Sequence, residues 1–302
     1  MAWQKLGLVF TPSGEFPWMK SHAANPVALH LGGGLYRVYF ASRDERNRSH
    51  VGYVEFDVNR PKEILRVSDE PALAPGPLGF FDDHGVYAAS VVERGGELLM
   101  YYTGWNPGPW PMYYPSVGVA ASRDGGRSFR KMFKSPILAR SEHDPWMISQ
   151  PFVMSDEGRW RMWYISGYKW ETEEDGLHSY YNIKYGESED GINWERNGLV
   201  CIGHLPGERN IARPCLLKEG GLYKAWFPRH AGRGYRIGYA ESPDGYAWTR
   251  KDEEGGLDVS ESGWDSEAVS YPWVFVHEGS RYMLYNGNDF GREGFGLAVE
   301  AR

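Results

Sequence analysis

The chain's 302 residues carry 33 Lys and Arg against 40 Asp and Glu, a formal charge of −7, which argues against a nucleic-acid partner because such a partner is met by a clustered basic face. Two cysteines, Cys201 and Cys215, match neither a disulfide framework nor a zinc ligand set and favour a reducing compartment. No window offers eighteen apolar residues and the N-terminus lacks a basic segment followed by an apolar run, so a cytoplasmic protein without a membrane partner is expected.

In chain order, "WQKLGLV" (3–9) comes first and nearly repeats "WERNGLV" (194–200). Five later stretches alternate apolar and polar residues: "LYRVYFASR" (35–43), "ELLMYYTGW" (97–105), "RWRMWYISG" (159–167), "LYKAWFPRH" (222–230) and "RYMLYNGND" (281–289). Their starts lie about 60 residues apart and each follows a Gly-containing turn, the signature of the second strand of a hairpin. The first strands are entered at Asn25-Pro26, Ala88-Ala89, Gln150-Pro151, Arg213-Pro214 and Tyr271-Pro272. Proline suits the first residue of a strand, where no ladder donor is needed.

Third strands follow at 50–56, 117–126, 183–191, 236–245 and 295–302, and turns at Asp124-Gly125, Asp190-Gly191 and Asp244-Gly245 end three of them. Asp-Gly is a tight-turn dipeptide, so these aspartates read as structural. Fourth strands come next as "SFRKMF" (128–133), "WERNGLV" and "WTRKD" (248–252). The fifth unit ends after its third strand, and "WQKLGLV" has the sequence of the missing fourth. The pattern predicts an all-β fold, a five-bladed β-propeller forming one domain over 1–302, with the N-terminal strand closing the ring and leaving only short, protected edges.

In a propeller the segments entering the innermost strands line one mouth of the central channel, a natural pocket. Here they are rich in ionisable groups: His22, Asp82, Asp83, His84, Glu142, His143, Asp144, Glu208, Arg209, Asp265 and Glu267. The X-Pro entries, aromatic second strands and Asp-Gly-x-x-Trp turns resemble glycoside hydrolase family 43, the arabinanase and xylosidase type, and its fructosidase and mannoside-phosphorylase relatives. The stretches "SRDERNRSHVGYVEFD" and "YMLYNGNDFGREGFGLA" resemble propeller proteins encoded with bacterial surface-polysaccharide genes. The resemblance implies a small-molecule or oligosaccharide substrate and carboxylate acid-base chemistry. It also implies a general base at an Asp-Pro of the first inner strand, a pKa-tuning Asp-Pro farther along, and a general acid at a Glu just before a later proline. This chain has Asn25, Gln150 and Ala212 there, and neither an amide nor a methyl group does that work.

Two readings stay open. Glycosidic cleavage needs two carboxyl groups, and Asp83, Asp144, Glu208 and Glu267 come from four entry segments, with Glu208 or Asp144 as acid, Asp83 as base and Arg213 as positioner or partner of Glu208. If phosphate replaces water, Arg209, Arg213, Arg229 and Arg233 supply basic groups. The other reading is a propeller that binds a nucleotide sugar or glycan without cutting it. The expected binding set is His22, Asn25, Arg43, Asp44, His84, Trp105, His143, Gln150, Trp170, Arg213, Arg229, Tyr271 and Asn286. No cofactor or metal is expected, since His22, His84 and His143 form no ligand spacing. Two aromatic insertions, 104–116 and 168–182, are longer than ordinary hairpin loops. They are expected to overhang one face and to offer Trp105, Trp110, Tyr113, Tyr114, Trp170, Tyr180 and Tyr181 to a sugar ring or a neighbouring subunit.

Overall fold

A computed structural model describes residues 1–174, 176–232 and 234–301; Arg233, one of the four arginines considered for a phosphate, and Arg302, at the end of the last expected strand, lie outside the described residues. Strand β1 (Trp3–Phe10) comes first. A meander of β2 (Ser21–Gly32), β3 (Leu35–Arg43) and β4 (Ser49–Asp57) follows, edged by β5 (Ile64–Val67). The next comprises β6 (Gly85–Arg94), β7 (Glu97–Pro107), β8 (Tyr113–Ser122) and the short β9 (Arg130–Lys131). Then come β10 (Met147–Asp156), β11 (Arg159–Glu173), β12 (Gly176–Ser188) and β13 (Val200–Ile202). After β14 (Glu208–Ile211), the chain forms β15 (Cys215–Glu219), β16 (Leu222–Ala231), β17 (Tyr235–Ser242) and β18 (Thr249–Arg250). The last group is β19 (Ser270–His277), β20 (Ser280–Asn286) and β21 (Phe295–Glu300), and β1 pairs antiparallel with β21 from Trp3↔Glu300 to Phe10↔Phe295.

The expected second and third strands are thus present, and the N-terminal segment is the fourth strand of the last sheet. The other fourth strands are shorter than their sequences predict: "SFRKMF" pairs only at Arg130–Lys131, and "WERNGLV" contributes one bridge at Glu195 and the start of β13. They are edge strands, with a partner on one side only, and short edges are less exposed to unwanted pairing. Both aromatic insertions also differ from expectation. They are largely strand, prolonging the β7–β8 and β11–β12 hairpins to Pro107↔Tyr113 and Glu173↔Gly176, because their tyrosines and tryptophans fit a pleated ladder.

A recurring buried ion pair explains the fourth-strand sequence. The second residue after its leading aromatic is Lys5, Lys131, Arg196 or Arg250. Each pairs with a carboxylate from the segment entering its own sheet: Lys5–Asp265 at 2.7 Å, Lys131–Asp82 at 2.6 Å, Arg196–Asp144 at 2.6 Å and Arg250–Glu208 at 2.6 Å. Tyr285, Tyr102 and Tyr164 of the intervening second strands donate to Asp265, Asp82 and Asp144. Neighbouring meanders are tied by second-strand aromatics that donate to the next turn: Tyr39 to Gly126 O, Tyr101 to Gly191 O and Trp163 to Gly245 O. In those turns Asp124, Asp190 and Asp244 each accept two backbone N–H bonds, the structural role expected of them.

Candidate functional site

The inner strands begin on irregular backbone. Register shifts fall at Ala24/Val27, Ala88/Ser90, Ser149/Phe152 and Ser270/Trp273, and a bulge of this kind re-aims a side chain. Asn25, Gln150 and Tyr271, each just before a proline, have φ of 55°, 46° and 50°, and His22 has 65°. A left-handed conformation costs a non-glycine residue roughly 1–3 kcal/mol and persists where its surroundings enforce it. Here the Asn25 N–H donates to Asn286 Oδ1 and the Gln150 N–H to Thr103 Oγ1, both at 2.8 Å. Gln150 Nε2 then donates to Asn25 Oδ1 at 3.1 Å, joining two inner strands far apart in sequence.

These residues form the floor of a cavity of about 580 Å³ whose lining includes His22, Asn25, Arg43, Asn47, Ser49, Tyr87, Trp105, Met112, Tyr113, Gln150, Tyr271 and Phe290. Its volume suits a small-molecule site. Trp105 is held by its indole N–H, which donates to Ser49 Oγ at 3.0 Å. The prolonged hairpins meet above, where Tyr113 packs edge-on against Trp170 at 5.6 Å. Burial drives the Tyr271 phenol well above its usual pKa, so it stays a neutral hydrogen-bonding group. Among the described residues lining this cavity there is no Asp or Glu, and Arg43 is the one permanent charge.

His22 is also neutral at physiological pH. Burial, then the fields of Arg43 and Arg292, lower its pKa to about 4 against an opposing pull from Asp289. Between about pH 6.5 and 4 the unfolded chain therefore binds a proton at this site that the folded chain refuses. The stability contributed by neutral His22 is complete above pH 6.5 and declines as the pH falls towards 4. A proton-NMR titration should place the His22 midpoint near 4; a midpoint at the free-imidazole value rejects this electrostatic account.

The sequence-derived candidates fall into three groups. His22, Asn25, Arg43, Trp105, Gln150 and Tyr271 line the cavity, and Asn286 is fully buried beneath it, its Nδ2 donating to Ala23 O and Gly294 O. Trp170 supports the wall through Tyr113. The remainder are elsewhere. Asp44 organises its own loop, accepting from the Arg46 and Arg48 N–H groups and the Arg48 guanidinium. His84 stacks edge-on against Trp105 outside this lining, and His143 is exposed. The three histidines are not gathered, and among the described residues no His, Cys, Asp and Glu group has metal-binding geometry.

The four carboxylates expected to converge do not line the cavity. Asp83 caps its loop, accepting from Gly79 N–H and Asn106 Nδ2. Glu267 is exposed. Asp144 has no exposed surface and is held by Arg196, Lys184, Ser166 and Tyr164. Burial pushes Glu208 up, but hydrogen bonds from Arg250 and the Leu205 N–H outweigh it and hold its pKa below the usual value, so Glu208 is ionised where a general acid must be protonated.

The arginines are committed as well. Arg213 does not meet Glu208; it is wholly buried, donating to the carbonyls of Pro26, Tyr271 and Pro272, and burial lowers its pKa to about 10. Arg229 pairs with Glu208 and Asp252, and Arg209 with Glu173. Sequence reasoning missed Tyr87, Asn47, Ser49, Met112 and Phe290. Tyr87 had a signal, since it immediately precedes the Ala88 entry of its inner strand; Phe290 had none, being brought in by a turn with φ of 57°.

Repeated antiparallel meanders with a cavity where their first strands begin define a glycoside hydrolase-like propeller protein. The sequence profile of the glycosyl hydrolases family 32 N-terminal domain matches residues 23–204, more than half the chain, and the chain belongs to that family. Two uncharacterized proteins of Mycobacterium tuberculosis, from strains CDC 1551 / Oshkosh and ATCC 25618 / H37Rv, are 43% and 42% identical to it over 300 residues, 99% of each chain. A glycosyl hydrolase from Bacteroides ovatus has the same fold, with a TM-score of 0.75 at 14% identity, over 99% of this chain and 93% of that one. A thermostable family-43 glycoside hydrolase follows at 0.67 and 14%, covering 96% and 92%. A structure from work on the GH130 family of mannoside phosphorylases, containing glycoside hydrolases that target β-1,2 mannosidic linkages in Candida mannan, matches at 0.72 and 16%, covering 99% and 93%.

Proposed function

We propose that the chain is a single-domain, five-bladed propeller, its ring closed by β1, and that the cavity at the channel mouth binds a saccharide without hydrolysing it. One observation carries this reading: an aromatic wall of Trp105, Tyr87 and Tyr113 faces an amide floor of Asn25 and Gln150, with no carboxylate among the described lining residues. Rings of this kind cover the apolar face of a sugar while fixed amides and hydroxyls match its hydroxyls. Hydrolysis wants a protonated and an ionised carboxyl group across the scissile bond.

Ligand-observed NMR against a panel of mono- and oligosaccharides tests it. Trp105→Ala and Gln150→Ala should each weaken the saccharide found by about tenfold, the usual worth of one stacked ring or one buried hydrogen bond. Asp83→Asn and Glu267→Gln should leave binding unchanged. Release of reducing sugar by the wild-type protein, abolished by these carboxylate changes, would overturn the reading. Family membership favours a second one, cleavage of a glycosyl bond. Under it Asp289, next to the lining residue Phe290 and within electrostatic reach of His22, is the carboxylate placed to take part. Loss of such activity in Asp289→Asn would support that alternative.

A further inference from the structure

Arg43 is the last residue of β3, paired across the sheet with Ser49, and its side chain forms part of the cavity wall. It is half-buried, and among the described residues no carboxylate lies within ion-pair distance of it. Several other buried or partly buried arginines differ, Arg37 pairing with Glu55, Arg196 with Asp144, Arg250 with Glu208 and Arg281 with Glu219, while Arg94 and Arg213 instead donate to backbone carbonyls. Withdrawing a cation from water without a counter-ion is uphill, and burial indeed lowers the Arg43 pKa, with the Tyr271 phenol opposing. One donor is used, NH1 to Asn47 Oδ1 at 3.1 Å. A guanidinium has five donors in a planar fork that matches two oxygens of one acceptor.

We infer that the cavity takes a saccharide carrying an oxyanion, a carboxylate or a phosphate, and that Arg43 holds that group while the aromatic wall covers the ring. This rests on the saccharide reading above. The chain's net charge of −7 repels an anion at a distance, so a local unpaired cation is what makes such a ligand selectable. The surroundings do not cancel it. His22 is neutral, Asp289 and Arg292 act on His22 with opposite signs, and Asp44 is occupied by Arg48. The amides of Asn25 and Gln150 bond one another at the floor, and Trp105 is anchored on Ser49, so the polar groups around Arg43 are fixed rather than free to fold over it.

The test is calorimetric titration of the full chain with matched pairs: glucuronate and galacturonate, glucose 1-phosphate and galactose 1-phosphate, and the parent neutral sugars, with acetate and inorganic phosphate alongside. The acidic sugars should bind about tenfold or more tighter than the neutral ones, the range of a hydrogen bond to a charged group. The uronate and phosphate arms identify which oxyanion the site prefers. Arg43→Gln should bring the acidic-to-neutral ratio to within about twofold, and Arg43→Lys, which keeps the charge but loses the fork, should give an intermediate ratio. Melting curves check that both variants are folded. Equal affinity for acidic and neutral sugars in the wild type, an Arg43→Gln variant that keeps its preference, or acetate and phosphate binding as well as their sugars overturns the inference while leaving the saccharide reading standing. Failure of every sugar, acidic and neutral, overturns both.

Discussion

Removing residues 1–10 should leave a chain that does not fold, although none of the proposed cavity residues is touched. Strand β1 buries Trp3, Val9 and Phe10. Trp3 donates to Gly255 O and packs edge-on against Trp226, while Phe10 meets Phe40 at 5.0 Å and Phe295 at 5.9 Å. One strand therefore joins the fourth, fifth and first meanders. Burying a large apolar side chain contributes about 1.5–3 kcal/mol, and taking Lys5 from the buried Asp265 costs about 3–5 kcal/mol more. The loss is on the order of 10 kcal/mol against a total stability of about 5–15 kcal/mol for an ordinary domain, and it opens β21 as a sheet edge. Soluble expression and circular dichroism read the outcome. The control is a circular permutant that starts at residue 11 and carries 1–10 after residue 301 through a short turn. The Ala301 N–H donates to Ala2 O at 2.8 Å, so this connection needs no rearrangement and should restore the fold. A folded, monomeric truncation would show that β1 is dispensable.

Arg250→Met should be strongly destabilising although Arg250 lies outside the hydrophobic core. The Glu208 side chain is 2% exposed, and Arg250 meets its two oxygens at 2.6 and 2.7 Å while also pairing with Asp252. Leaving such a carboxylate without its main partner costs about 3–5 kcal/mol; Arg229 at 3.3 Å places the expectation near the lower end. Urea denaturation should show the midpoint fall, and Glu208→Gln added to Arg250→Met should recover part of it because the uncompensated charge is gone. The wild-type pH dependence has a definite sign. With its folded pKa depressed below 4.5, Glu208 contributes stability that is present above that pH and lost as the pH falls through the folded value. Saccharide binding by the folded double variant should equal that of the wild type, since neither residue lines the cavity. A double variant that is stable but no longer binds would return Glu208 to the site.

The strands were legible because a period-two pattern reports which face of a strand is buried and Asp-Gly reports where a tight turn falls. "WQKLGLV" and "WERNGLV" match because their third residues, Lys5 and Arg196, do one job: each meets the buried Asp of its own entry segment. Sequence alone does not reveal that job. Asp82, Asp144 and Asp265 stand six positions ahead of Ala88, Gln150 and Tyr271, a constant spacing that marks a repeated structural part, whereas residues that act in a site need not recur from unit to unit. An ionisable group near a channel mouth looks the same in sequence whether it faces the channel or the interior.

By itself, then, the sequence determined the all-β class, the order of the meanders, the fourth-strand role of the N-terminus and the departure of Asn25, Gln150 and Ala212 from the carboxylate pattern, because each is written in local periodicity or in a position counted from a proline. Only the tertiary structure decided which side chains share the cavity. The bulges at Asn25, Gln150 and Tyr271 turn three inner strands towards one point. The same packing draws Asp144 and Glu208 into ion pairs and Arg213 under the floor, and leaves Arg43 without a carboxylate among the described residues. Charge neutralisation inside a fold depends on which groups meet, and that is set by distances across the sheets rather than by spacing along the chain.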